Sequence, residues 1–417
     1  MLLNFLQELL EIRIRRTFYK LGLLIADYTV LFIYVPVLIF VALASGLVFF
    51  RESNDIRYHF TPTDSHSVGE YKIMQEYHRN RGLYNLVVGI KAKDGGNLLR
   101  PAHIREILKL EERLNYLLLV SDGNRTYNYK EFCVHYCQSN ANINLFLSVY
   151  LSGKSSSRAP PIGLNFSYPA TRIYGSKINI ANYIYGFRLN GSTGEIESAE
   201  VLTLHYRTTF GNSSNRRIVE KWDQAVFDFA RKNNDNSPIR ITTSSDHQFS
   251  LEFRRTGYYT MPLMSISFLI IVTFTVGTSF RVDPGRNKAS EAFWGVMCPC
   301  MAVGAGFGLL FLSGLEYMPI VIVAPFLVLA VGVDDAFIMI QAWKRTDRNM
   351  PINRRAGLML ADAGPSITIT SLTNAVSFGI GTIATTRAIQ NVCAFIAICI
   401  AIDYSFQITY FTGVLVQ

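Results

Sequence analysis

The feature that most constrains this chain is the apolar run YMPIVIVAPFLVLAVGVDDAFIMIQAW, residues 317–343, which encloses two adjacent carboxylates, Asp334 and Asp335. A run of this length can cross a bilayer as a helix, which takes roughly 20 apolar residues. The basic end at Lys344 and Arg345 comes ten residues after Asp334. At helical rise that is ~13–15 Å, beyond the reach of so short a side chain. An Asp held at the centre of a span costs ~2.5–3.5 kcal/mol even on the mildest scale, so such residues face protein or water. Neighbouring residues diverge by about 100° around a helix, so each Asp is expected to meet a different span. Two readings follow: neutral, hydrogen-bonded structural carboxyls, or an ion or proton site.

Other charge-poor stretches run over residues 29–50, 260–280, 292–315, 364–386 and from Ala388 onward, the last interrupted only by Asp403. Six such runs, in a chain that is 49% hydrophobic, describe an α-helical polytopic membrane protein. The net charge of +9 is therefore read as a membrane-side bias rather than as a nucleic-acid surface. Arg13, Arg15, Arg16 and Lys20 precede the first run; Arg281, Arg286 and Lys288 follow the second; Lys344, Arg345, Arg348, Arg354 and Arg355 follow the fourth. The loops near Glu316 and Arg387 hold one basic residue between them. The N-terminus is then expected in the cytoplasm, and residues 51–259 outside the cell or in a lumen. Ala42-Leu43-Ala44 resembles a signal-peptide cleavage site, but the apolar core before it is too long, so a retained anchor is expected.

Asn-x-Ser/Thr sequons at Asn124, Asn165, Asn190 and Asn212 all fall within residues 51–259, as expected of glycosylation sites there. Cys133 and Cys137 are the cysteines of this segment, and in an oxidising compartment they are expected to pair across an irregular backbone. With His135 between them a metal site was the rival, but two thiols and one His lack a fourth ligand.

Residues 1–28 form a basic segment with an apolar stripe (Leu2, Leu3, Phe5, Leu6, Leu9, Leu10), either lying on the cytoplasmic leaflet or packed on the bundle. Residues 51–259 are enough for a globular core. GEYKIMQEYHRNRG reads as a helix, LYNLVVGIKAK as a strand, and RPAHIREILKLEERLNYLLLV as a helix with Ile104, Leu108 and Leu114 on one face. Residues 151–170 read as loop. SKINIANYIYGFRLNG and SAEVLTLHYRTTFG read as strands that pair, NRRIVEKWDQAVFDFARKNN as an amphipathic helix, and PIRITTSSDHQFSLEF as a strand. This order suggests an α+β domain of split βαβ, ferredoxin-like type. The scattered histidines and the absence of HExxH, GxSxG or a P-loop argue against an enzyme.

Within the membrane half, Gly304 and Gly308 make one GxxxG pair, with Gly306 between them; close helix packing is the first reading and a flexible helix the second. Pro325 is expected to kink the fourth span above Gly332 and the Asp pair. In the fifth, Ser366, Thr370, Thr373 and Ser377 form a polar stripe with Asn374 beside it, expected to supply the hydrogen-bond partners of Asp334 or Asp335. Asp403, in AICIAIDYSFQITYF, is a third intramembrane carboxylate.

GVDDAFIMI followed by GPSITITSLTNAVSFGIGT resembles the patched-related and patched-domain-containing proteins of the RND-type permease superfamily, and spans two to six (residues 260–417) look like their sterol-sensing domain. FTPTDSHSVGEY, FCVHYC, SYPATRIYGSKINI and KWDQAVFDFA look like that family's first ectodomain. The resemblance implies a membrane protein that binds or moves sterols or other lipids. It implies no organic cofactor, with H+ or Na+ as coupling ion at the acidic motif that falls on Asp334 and Asp335. An alternative is a sterol-sensing receptor that binds a secreted hedgehog-like ligand without transport. Plasma, endosomal or secretory membranes are the implied locations. Family members have two tandem halves, and this chain carries one, so a further half or a second copy is an expected partner.

Overall fold

The computed structural model describes residues 2–53, 56–77, 82–155, 164–210, 213–233, 237–280 and 289–417. Asn212, Arg281, Arg286 and Lys288 lie outside that set, as do the side chains of residues 2–11, 56–57, 154–155, 210 and 213–214. In chain order the principal elements are α1 (Leu2–Asp27), α2 (Thr29–Ala44), α3 (His66–Tyr77), β1 (Gly82–Ala92), α4 (Pro101–Glu112) and α5 (Ala141–Ser155). There follow β2 (Ile184–Tyr185), β3 (Val201–Phe210), α6 (Ser213–Asn233), β4 (Ile239–Ser245) and α7 (Asp246–Ser279). Last come α8 (Ala289–Leu312), α9 (Val323–Arg345), α10 (Ile352–Gly381) and α11 (Arg387–Phe406). They divide into two compact units, residues 66–252 and the remainder.

Residues 66–252 are built on a four-stranded sheet of order β4-β1-β3-β2, antiparallel throughout, with Leu86 paired to both Tyr206 and Ser245. Alternation in β1 buries Tyr84, Leu86, Val88, Ile90 and Ala92, and β3 buries Leu202, Leu204 and Tyr206. Against them lie Ile104 and Ile107 of α4 and Val219, Trp222 and Val226 of α6. The Trp222 ring sits 5.0 Å from Tyr129 and 5.4 Å from Tyr206. Among the buried polar groups of this unit is Asp223, fully buried beside Trp222 on α6. Ser245 Oγ donates to its Oδ2 at 2.5 Å, and Gln248 Nε2 donates to Oδ1.

Two readings of this unit are corrected. The expected strand over residues 238–253 ends at Ser245, where α7 begins. The cause is a helix start: the Gln248 amide donates to Ser245 Oγ at 3.0 Å, the first half of an S-x-x-Q capping signature. The expected loop from residue 151 also begins later, because α5 runs on to Ser155 and buries Tyr150.

The other unit is a helical bundle drawn together at glycines. A Cβ on Gly22 of α1 would lie 2.6 Å from the Ala356 carbonyl oxygen of α10, and one on Gly364 would strike Phe18. α1 is thus packed on the bundle. A Cβ on Gly308 would lie 2.0 Å from the Leu43 oxygen, and one on Gly304 would reach the edge of Phe40, so both members of the GxxxG pair close α8 against α2. Gly306 turns the other way, to Cys399 of α11.

Among the described residues, five helices are long and apolar enough to cross a membrane: Thr29–Phe49, Asp246–Ser279, Ala289–Leu312, Pro319–Arg345 and Arg387–Val416. α10, expected as the fifth of six spans, is not among them; its apolar half carries Ser366, Thr368, Thr370, Ser371, Thr373, Asn374 and Ser377. Large apolar side chains such as Leu263, Leu269 and Phe274 of α7 stand on the outside of the bundle, as in a multi-pass membrane protein. Pro325 is the third residue of α9, where a 3-10 turn over Pro319–Ile322 gives way to α-helix. Its missing N–H falls in a first turn, which has spare carbonyls, so the expected kink does not arise.

Candidate functional site

α9 holds Gly332, Asp334 and Asp335 in its middle turns, and the helical phase separates the two carboxylates as expected. Asp335 is 2% exposed and faces inward, whereas Asp334 is exposed on the outside of the bundle. The two carboxylates thus face different surroundings. On α10, Ser371 Oγ donates to Asp335 Oδ2 at 3.2 Å, and the Thr370 hydroxyl, which also bonds the Ile367 carbonyl at 2.9 Å, lies 3.3 Å from Oδ1. Both contacts with Asp335 are long for a hydroxyl–carboxylate pair.

Asp403 of α11 is also 2% exposed and lies within electrostatic reach of Asp335. Its Oδ1 has no hydrogen-bond partner among the described residues. What lets it approach α9 is Gly332: a Cβ there would sit 2.5 Å from Asp403 Oδ2 and 2.7 Å from Pro299 Cβ of α8. One turn on, Gln407 is fully buried, and its Nε2 donates to the Gly332 carbonyl at 3.0 Å. Three helices thus converge on one glycine, with Asp335 on one side and Asp403 with Gln407 on the other.

The remaining residues of the expected stripe do not join this site. Thr373 Oγ1 bonds back to the Ile369 carbonyl and Ser377 Oγ to that of Thr373, both at 2.7 Å, on an exposed face. Asn374 is half-buried and hydrogen-bonds neither carboxylate among the described residues. Ser371 and Gln407 were missed. Ser371 follows Thr370 directly and Gln407 lies four residues after Asp403, so an i, i+4 search from each carboxylate would have raised Gln407.

Elsewhere, the Cys133 and Cys137 sulfurs are at bonding distance with Cα atoms 5.7 Å apart, and Tyr136 between them takes a φ of 62°. Asn124 and Asn165 are exposed; Asn190 is half-buried and its Oδ1 accepts from the Ser192 amide and hydroxyl. No group of three or more His, Cys, Asp or Glu fit for a metal occurs among the described residues. An apolar cleft of about 370 Å³ opens along α2 and α11, lined by Leu31, Val35, Ile39, Leu43, Ile402 and Phe406. Its hydroxyls, Ser405 and Thr409, bond back to their own helix.

The Patched family model, described as the Patched SSD, matches residues 261–417, the stretch that contains Gly332, Asp335, Asp403 and Gln407. Patched-related protein 9 of Caenorhabditis elegans is 27% identical over 220 residues, which cover 53% of this chain and 25% of that protein. NPC1-like intracellular cholesterol transporter 1 of Rattus norvegicus is 23% identical over 463 residues, 96% of this chain and 34% of that one. NPC intracellular cholesterol transporter 1 of Sus scrofa is 26% identical over 229 residues, 52% and 18% of the two chains. The chain spans about a third or less of the length of these relatives. The helices that build the site are thus similar to a Patched-type sterol-sensing domain, and the relatives found are patched-related and cholesterol-transporter proteins.

Proposed function

We propose that this chain is half of a membrane permease that binds and moves a sterol or similar lipid, and that H+ or Na+ taken up and released at Asp335 and Asp403 drives the movement. The observation that carries the reading is a pair of buried carboxylates with too few donors, held against one glycine where three helices meet. A bound cation or proton shifts a protein between states only if the states bind it differently. Carboxylates so incompletely satisfied stand to gain most from such a ligand. The rat and pig relatives are named cholesterol transporters, which supports a sterol as the cargo class. The apolar cleft along α2 and α11 falls in the size range of small-molecule sites and is the candidate seat for it.

In this reading α10 is a sixth span, its polar stripe turned partly to the site, and the N-terminus is cytoplasmic. Residues 51–259 are then an extracellular or lumenal split βαβ domain, consistent with the β-α-β-β-α-β sequence of its main sheet and two helices. A second half or a second copy completes the transport unit. A receptor that senses sterol and binds a hedgehog-like ligand without pumping has no need of buried intramembrane carboxylates. The test is gradient-dependent sterol movement in vesicles holding the full-length protein. Asp335→Asn with Asp403→Asn should abolish it while leaving expression and folding intact, and Asp334→Asn should leave most of it. If the double variant moves sterol as the parent does, the carboxyls are structural.

A further inference from the structure

Hydroxyl groups on apolar helices can close onto their own backbone, and here several exposed or half-buried ones do: Thr273, Thr278, Thr368, Thr373, Ser377, Ser405 and Thr409 each donate to the carbonyl four residues earlier. Among the described residues of the spanning helices, four buried side chains keep a polar atom with no partner: Thr275, Asp403, Gln407 and Thr412. Three of the four lie on the last helix. All three are more than nine-tenths buried, Asp403 at 2% exposure and Gln407 and Thr412 at 0%.

Their spacing is not that of an ordinary helix. Gln407 follows Asp403 by four residues, one α-helical turn, but Thr412 follows Gln407 by five and would swing to the far side of an α-helix. The backbone corrects this. Over Gln407–Phe411 the helix is of π type, whose i→i+5 closure sets residue i+5 above residue i. Thr412 is thereby brought over Gln407, and the unpartnered oxygens Asp403 Oδ1, Gln407 Oε1 and Thr412 Oγ1 share one edge of the helix. The edge runs from the Gly332 site toward the helix's carboxyl end.

We propose that this edge is a hydrated path, a short file of water held by Asp403, Gln407 and Thr412, by which protons reach Asp403 from the carboxyl end of the last helix. Buried water takes two to four polar partners, and a run of otherwise unmet acceptors and one hydroxyl inside an apolar bundle provides them. Gln407 acts as a positioning residue: its Nε2 is tied to the Gly332 carbonyl, which leaves Oε1 fixed toward the path. The other titratable groups within electrostatic reach of Asp403 are Asp335, Cys298, Cys300 and Cys399. The proposal rests on the reading of Asp403 as a proton site, but its test does not use transport.

The test is the access of a small, charged, membrane-impermeant thiol reagent to Thr412→Cys and to Ile408→Cys, in the full chain in lipid vesicles. Ile408 is the control because it is buried in the same helix and apolar. Reaction above the level of the unsubstituted chain is expected at residue 412, at least tenfold faster than at 408, and from the cytoplasmic side under the proposed topology. Equal rates at the two positions, high or low, overturn the path. Should either variant fail to fold, hydroxyl-radical footprinting of the unsubstituted chain decides. Phe411 and Phe395 are both fully buried; Phe411, beside Thr412, should be oxidised well above Phe395, and equal oxidation overturns the path. A dry edge with sterol movement still lost in the double Asn variant removes this path alone. A wet edge with movement retained removes the permease reading instead.

Discussion

The protein buries a carboxylate in each of its two units, and the two sites are furnished differently. Asp223, in the core of residues 66–252, has a donor on each oxygen, from Ser245 and Gln248. Asp335, in the helical bundle, has two hydroxyl contacts at 3.3 and 3.2 Å, and Asp403 leaves Oδ1 unmet among the described residues. Burial is nearly the same: 0% exposure for Asp223 and 2% for each of the others. A carboxyl that serves as a structural tie should be saturated, since a buried polar group left without partners costs about 1–3 kcal/mol. By that standard Asp223 is a tie between α6, the end of β4 and the first turn of α7. The intramembrane pair is held with fewer and longer bonds, which suits the proton or cation site proposed above.

The sharpest way to break this contrast is to remove the side chains on both sides of it. Asp223→Ala strands Ser245 Oγ and Gln248 Nε2 in the core and should cost residues 66–252 about 3 kcal/mol. For a unit of this size that is roughly 6–12 °C in melting temperature, read as faster amide exchange in β1 and β4. Asp335→Ala should cost the bundle less, about 1 kcal/mol, because the two hydroxyl contacts it loses are long. Equal losses at the two sites would mean that the intramembrane carboxyl is also a tie.

Asp223 adds a pH arm. Burial raises its pKa above the ordinary 3.8 and outweighs the hydrogen bonds that favour the charged form. The folded state then holds the proton more firmly than the unfolded one. The resulting stability is complete below the ordinary carboxylate range and is lost as pH rises through the raised value. Asp223→Asn, a fixed mimic of the protonated form, should flatten that part of the stability profile.

The second contrast lies between glycines. An alanine at Gly308 meets the Leu43 backbone at 2.0 Å, and one at Gly332 meets Asp403 Oδ2 at 2.5 Å and the Pro299 ring at 2.7 Å. Neither neighbour can step aside cheaply, so each substitution should cost about 1–3 kcal/mol. At Gly304 the nearest atom is the edge of the Phe40 ring at 2.9 Å, which can rotate away, and Gly304→Ala should cost less than about 1 kcal/mol. Detergent thermal melts of the three variants would rank them. A Gly304→Ala variant as damaged as Gly308→Ala would mean that the ring is locked. Only Gly332→Ala should also alter sterol movement, since only it moves a carboxylate.

How much of this was legible follows from what each element depends on. Length and apolarity alone disclose most of the spanning helices, and alternation discloses β1, because the periods of helix and strand are written locally. Thr370 was legible as a partner because intramembrane hydroxyls are few and face protein. Ser371, Gln407 and the outward turn of Asp334 were not. Which flank of α9 or α10 faces inward is set by Gly332 and Pro299, where the helices meet, and no local period encodes that. Thr412 was hidden by the π segment, which shifts the helical phase without a sequence mark. Pro325 misled for a positional reason: the same residue kinks a helix interior and is harmless in a first turn. The strand expected past Ser245 failed because β-branched residues before a helix cap look like a strand that continues.

The smallest expected effect tests the contrast within one helix. Ser371 and Thr373 sit two residues apart on α10, yet Ser371 Oγ donates to Asp335 while Thr373 Oγ1 is spent on its own backbone at Ile369. An interhelical hydrogen bond inside a membrane is worth ~0.6 kcal/mol on average. Ser371→Ala should therefore change the stability of the bundle by about that amount, hardly more than Thr373→Ala does. The two should part in a second readout. Losing the Ser371 donor removes one of the two hydroxyl contacts of Asp335, so the pH profile of sterol movement should change. Thr373→Ala should leave the profile where it is. Matching profiles for the two variants would mean that the donor to Asp335 has no part in its titration, and the carboxyl would then be better read as a second structural tie, like Asp223.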